Sequence, residues 1–136
     1  MKCCLLAAVS VFFINTPHKD CVLITAQQQL KNKYSIQIKN TCSDSVFYQV
    51  GLYGSDKLNG TSWTCIYKDV KSKKPCDMSI STMTLLENTE TADFTCEVPS
   101  LKHSKYFKFE VYYSVYKKGI KGTADGRVFS KPFKNE

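Results

Sequence analysis

From Lys33 onward apolar residues recur at every second position, the period of strands with one buried face. Tyr34, Ile36 and Ile38 alternate with Ser35, Gln37 and Lys39; Val46, Tyr48, Val50 and Leu52 alternate with Phe47, Gln49, Gly51 and Tyr53. Residues 40–44 between them are polar and turn-like, and residues 54–60 form a second turn region before Trp63, Cys65 and Tyr67, which alternate with Thr64, Ile66 and Lys68. Residues 69–75, rich in lysine and carrying a proline, read as an exposed loop; the threonine-rich run 78–86 predicts a fourth strand. A turn at Asn88-Thr89-Glu90 leads to a fifth strand over 92–98. The strongest element, 105–117, places Phe107, Phe109, Val111, Tyr113 and Val115 on one parity. Glycines between 118 and 126 close a hairpin onto a last strand over 126–133. Seven short strands and no ten-residue stretch of helical period predict an all-β, immunoglobulin-like (fibronectin III-like) two-sheet sandwich. On that pattern Trp63 is expected in the core, against Phe107, Phe109 and Val111.

The amino terminus changes the picture. After Met1-Lys2, residues 3–14 are an apolar run of export-signal length, too short to span a bilayer. A second apolar patch, 22–26, precedes Gln27-Gln28-Gln29, and cleavage after Ala26 is expected. This divides the chain into an export segment, 1–26, and a sandwich domain, 27–136. It points to a secreted, periplasmic or cell-surface protein without a stable membrane span in its mature form. Cys42, Cys65, Cys76 and Cys96 then remain, an even number in an exported chain, and read as two disulfides with three possible pairings. Cys65 with Cys76 and Cys42 with Cys96 is the expected set, the first because a local loop closes easily. Without a C-x-x-C pair, zinc is the poorer explanation, and no metal site is assigned.

A chain of 136 residues suits one domain. Its formal charge of +7 is almost all lysine, Arg127 being the single arginine, so a nucleic-acid surface built on bidentate contacts has little support and the charge reads as a solvated face. Candidate chemistry is sparse. A Ser-His-Asp site would have to use His103, in a polar turn, and Asp93, Glu97 and Glu110 are scattered acids rather than a facing pair. Nucleotide, phosphate and metalloprotease motifs are missing, so neither a catalytic residue nor a cofactor is assigned. Asn59-Gly60-Thr61 is a formal glycosylation sequon. The outward parity of the long strand combines tyrosines with charge, and Tyr106, Lys108, Tyr112 and Tyr116 are its candidate binding residues, suited to gripping a protein or stacking on a sugar.

Residues 34–133 resemble the small secreted immunoglobulin-like domains of gut Bacteroidetes. The likeness is carried by Tyr34-Ser35-Ile36-Gln37-Ile38-Lys39-Asn40, Val46-Phe47-Tyr48, Trp63 after the Asn59-Gly60 turn, Leu85-Leu86-Glu87-Asn88, and the pairing of 107–113 with 128–133. The final hairpin is also similar to that of fibronectin type III modules, and Trp63 with Cys65 and Cys76 to cytokine-receptor ectodomains. The expectation is a non-catalytic exported binding or accessory module for a protein or glycan. The alternatives are a secreted inhibitor or immunity-type protein acting through the 69–75 loop with Lys73 and Lys74, and a carrier of lipid or another small ligand between the sheets.

Overall fold

A computed structural model describes residues 20–76, 83–116 and 124–136. Nine strands lie in these segments: β1 (Val22–Leu30), β2 (Lys33–Asn40), β3 (Val46–Ser55), β4 (Thr64–Tyr67), β5 (Thr84–Leu86), β6 (Thr91–Glu97), β7 (Tyr106–Val115), β8 (Ala124–Phe129) and β9 (Phe133–Lys134). All pairings are antiparallel. One sheet runs β1-β2-β6 and the other β4-β3-β7-β8, with β5 also on the β3 edge and β9 also on the β7 edge. The chain is therefore an all-β two-sheet sandwich. Among the described residues no helix is long and apolar enough to cross a membrane.

Alternation decides what is buried. Tyr34, Ile36 and Ile38 of β2 face Val46, Tyr48, Val50 and Leu52 of β3 and Phe107, Phe109, Val111, Tyr113 and Val115 of β7, and all of these are buried. The apolar parities read from the sequence are the two inner faces. At one end Tyr34 meets Phe107 edge-on at 5.2 Å between ring centres and Phe133 at 5.0 Å, while Phe107 and Phe133 stack at 5.5 Å. Such aromatic pairs add stabilisation beyond the area they bury. At the other end Gly126 lies opposite Tyr113 in the β7–β8 register, where an added Cβ would sit 2.3 Å from the tyrosine ring. The space a side chain would need is taken by Tyr113, whose hydroxyl donates to Asp20 Oδ1 at 3.2 Å.

The amino-terminal reading needs correction. Residues 22–26, expected to end an export segment, are the first half of β1, and they pair with β2 from Val22 opposite Asn40 to Ala26 opposite Ile36. Val22 is fully buried, and Cys21 is bonded to Cys42. The patch imitates a signal tail because its alternation is short, but Val22, Ile24 and Ala26 share one parity and turn inward. The structured domain thus includes residues 20–26, which a boundary at Gln27 leaves out; residues 1–19 lie outside the described segments.

Two further expectations shift with this. Cys65 does bond to Cys76, but Cys42 takes Cys21 and not Cys96. Cys96 is a free buried thiol on the inner face of β6, opposite Tyr34, and burial pushes its pKa up to about 11. It behaves as a small apolar residue there, since little thiolate forms at neutral pH. The predicted last strand is split in two by Ser130, which returns to Phe109: its N–H donates to the Phe109 carbonyl and its Oγ accepts from the Phe109 N–H. Of the run 78–86 only Thr84–Leu86 is strand among the described residues, and 77–82 lie outside them.

Trp63 is not a core residue. It precedes the edge strand β4, whose Cys65 lies opposite Tyr53, and a register shift between Leu52 and Tyr53 breaks the simple parity of Trp63, Cys65 and Tyr67. Trp63 therefore shares the outward side of Tyr53. It is half-buried, its indole N–H donates to the Gly60 carbonyl at 3.0 Å, and Lys108 Nζ lies 4.3 Å from its ring centre. Trp63→Ala should cost about 1 kcal/mol in a urea titration, the scale of one hydrogen bond plus partial burial, well below the ~3–5 kcal/mol of a fully buried aromatic. A loss as large as the latter would return Trp63 to the core.

Candidate functional site

The outward face of the larger sheet combines Phe47, Gln49, Gly51 and Tyr53 of β3 with the even positions of β7 and with Arg127 and Phe129 of β8. Register sets the neighbours: Gly51 lies opposite Glu110, Gln49 opposite Tyr112, and Tyr112 opposite Arg127. The four residues expected to bind are all on this face but form no single cluster. Lys108 has its ammonium 4.3 Å from the Trp63 ring centre and 4.0 Å from that of Phe129, and burial lowers its pKa although Glu110 opposes the shift. Tyr112 carries the Arg127 guanidinium at 5.6 Å. Tyr116, 49% exposed, meets Phe47 edge-on at 5.9 Å. Tyr106, half-buried, lies at the far end of β7 opposite Ser55 and Lys134.

Between these ends the sheet holds a cavity of ≈ 240 Å³ framed by Gln49, Gly51, Tyr53, Glu110, Tyr112 and Arg127. Glu110 is 4% exposed, an unusual position for a carboxylate on an outward strand face. The Tyr53 hydroxyl donates to Glu110 Oε1 at 3.4 Å, and Arg127 Nε lies 3.9 Å from the same oxygen. Burial raises the Glu110 pKa, while Arg127, the Tyr53 hydrogen bond and Lys108 each lower it. Burial wins, because both close partners are long and Arg127 is itself mostly in solvent. The same pairing raises Tyr53, through burial first and the Glu110 charge second.

The consequence for stability has a definite sign. A carboxyl whose folded pKa is raised binds its proton more tightly when folded, so the stability it contributes is complete below its unfolded pKa and is lost as pH rises through the folded value. Glu110→Gln, which fixes the neutral form, should therefore gain on the parent as pH goes from about 4 to about 7. Urea midpoints measured side by side should diverge in that direction; a constant difference would mean that burial does not govern this group.

Sequence reasoning placed Glu110 among scattered acids. Its context comes from β3 and β8, but an isolated glycine, Gly51, inside the β3 pattern was the available signal, since such a glycine often marks close backbone approach. Asp93 and Glu97 lie on β6 of the other sheet, where Asp93 accepts from Gln37. His103 is exposed and makes no hydrogen bond among the described residues; it borders a ≈ 540 Å³ recess with Ser104, Asp56, Thr61 and Ile66. No group of three or more His, Cys, Asp or Glu able to hold a metal occurs among the described residues.

No family model matches the chain, and no curated protein matches it. Among solved structures, the X-ray structure of Northeast Structural Genomics Consortium target SoR45 is 11% identical, with 82% of this chain and 79% of that chain covered and a TM-score of 0.41, a likeness that bears on neither site nor activity.

Proposed function

We propose that the chain is an exported, non-catalytic, immunoglobulin-like binding module whose recognition surface for a protein or glycan is the outward face of the larger sheet. The observation that carries this reading is the composition of that face. Tyr116, Phe129 and Leu85 are each nearly half exposed, and they stand beside Tyr112, Lys108 and Arg127 on paired strands. Aromatic rings and arginine on a rigid support are what recognition surfaces concentrate. The test is binding of the full chain to arrays of purified glycans and extracellular proteins, repeated with Tyr112→Ser/Tyr116→Ser. Loss of at least about tenfold in affinity, 1.4 kcal/mol, with an unchanged melting curve is expected. Undiminished binding by the double variant would overturn the reading.

A second reading, a secreted inhibitor, has its own observation. The loop 69–75 is held by the Cys65–Cys76 disulfide, by Asp69 accepting from the Lys71 N–H and the Ser72 hydroxyl, and by Lys74 N–H donating to the Asp69 carbonyl. Lys73 sits there at φ 52°, a left-handed conformation uncommon for lysine. Inhibition of a partner enzyme that fails on substitution of Lys73 and Lys74 would favour it. The carrier reading finds no such support, since the space between the sheets is filled by Tyr34, Phe107, Phe109 and Phe133.

A further inference from the structure

Within the outward face Glu110 is nearly closed from solvent, yet its hydrogen bonding is incomplete. Both of its neighbours address Oε1. Oε2 makes no hydrogen bond among the described residues, and no side-chain oxygen or nitrogen sealed from solvent there lacks a partner, so Oε2 opens onto the ≈ 240 Å³ cavity. An oxygen that opens onto a cavity and has no protein donor is free to accept from whatever hydroxyl enters it.

The surroundings decide what kind of donor fits. Arg127 and Lys108 already act electrostatically on the carboxylate, and Lys68 also borders the cavity. An incoming ammonium or guanidinium would enter a cavity lined by Arg127 and Lys68, with Lys108 also acting on the carboxylate it would pair with. An uncharged hydroxyl meets no such repulsion. Gln49, buried beside Glu110, spends its Nε2 on the Lys68 carbonyl, which leaves its amide oxygen as a second acceptor. The exposed Arg127 guanidinium retains N–H donors for ligand oxygens. Tyr53 and Tyr112 supply aromatic surface for carbon-bound hydrogens, and Gly51 contributes no side chain to the floor, where a Cβ would come within 3.2 Å of the Tyr53 ring and the Tyr67 carbonyl.

We propose that this cavity is a subsite for one uncharged sugar ring, with Glu110 Oε2 and Gln49 Oε1 accepting from adjacent ring hydroxyls and Tyr112 packing against the ring. This rests on the outward-face reading and narrows its ligand to a neutral glycan. A cavity smaller than a drug-sized pocket suits a single ring held at one point of a longer chain.

The experiment is an amide NMR titration of the full chain with the methyl glycosides of glucose, galactose and mannose at tens of millimolar. At least one is expected to shift the amides of Gly51, Glu110, Tyr112 and Arg127. Glu110→Gln and Gly51→Ala should each weaken that response by about tenfold, while Leu30→Ser, at an exposed position on β1 of the other sheet, leaves it unchanged. Absence of shifts at those amides with all three glycosides, or equal binding by Glu110→Gln and Gly51→Ala, would overturn the proposal. Larger shifts of the same amides by n-propylguanidinium would also overturn it, in favour of a cationic side chain from a protein partner. If the glycosides fail while Tyr112→Ser/Tyr116→Ser still abolishes binding to an array partner, the sugar subsite falls and the outward-face reading stands; failure of both removes both.

Discussion

A chain beginning at Gln27 is expected to lose cooperative unfolding, while one beginning at Asp20 keeps it. The shorter chain lacks Cys21 and with it the bond to Cys42, which spans 21 residues and ties the start of β1 to the β2–β3 connection. Removing a native disulfide from a small exported domain costs about 2–5 kcal/mol, though how much is chain entropy is model-dependent. It also lacks Val22, fully buried, and with it roughly 1.5–3 kcal/mol of apolar burial. The Tyr113 hydroxyl loses Asp20, and the Thr41 N–H and hydroxyl lose the Cys21 carbonyl that both now reach. Together these losses approach the ~5–15 kcal/mol total of a typical domain. Circular dichroism on heating would distinguish the two chains: a sharp transition in the 27–136 fragment near that of 20–136 would show that β1 is dispensable, and would restore Ala26 as a workable boundary.

Why the sequence led to Ala26 is a matter of what a single strand can reveal. β7 was legible because ten residues of strict alternation leave one assignment of faces, and Phe107, Phe109, Val111, Tyr113 and Val115 are all buried as that assignment requires. β2 and the first part of β3 were legible for the same reason. β1 was not, because three inward residues spaced by two within a mostly apolar stretch read equally well as an uninterrupted patch. Trp63 misled because parity was carried through a register shift that no local pattern announces. The same limit applies to the site. Tyr112 and Lys108 were found from β7 alone, but the cavity is a property of register: Glu110 is enclosed only because Gly51 stands opposite it and because Tyr53 and Arg127 reach it from neighbouring strands. Composition along one strand gives its faces; which residues of other strands share a face is set by pairing.

Asn40 shows the reverse case, a residue assigned to a surface turn that proves to be one of the most enclosed in the protein. It continues the inward parity of Tyr34, Ile36 and Ile38 and is fully buried. Its Nδ2 lies 3.0 Å from the Asp44 carbonyl, 3.1 Å from that of Leu86 and 3.0 Å from that of Glu87, and its Oδ1 accepts from the Cys42 N–H at 2.9 Å. Its own backbone N–H donates to the Glu90 carbonyl. One side chain thus joins the β2–β3 corner, where Cys42 is bonded to Cys21, to the β5–β6 turn, which itself holds Thr89 at φ 65°. Asn40→Ala strips donors from three carbonyls and an acceptor from one N–H in a place where water enters poorly, and about 3–5 kcal/mol of stability should go with it. Asn40→Asp keeps the shape and the Cys42 bond but turns a second oxygen toward three carbonyl oxygens. Its folded pKa must therefore be raised, so the variant should be least stable at neutral pH and recover as the solution is acidified through that folded value, where a protonated carboxyl can again donate. Chemical denaturation of the parent and both variants at neutral and mildly acidic pH reads both effects. An Asn40→Asp protein with the parent's stability at neutral pH would mean that the three carbonyls find other donors, and that the corner is held by the disulfide and not by the amide.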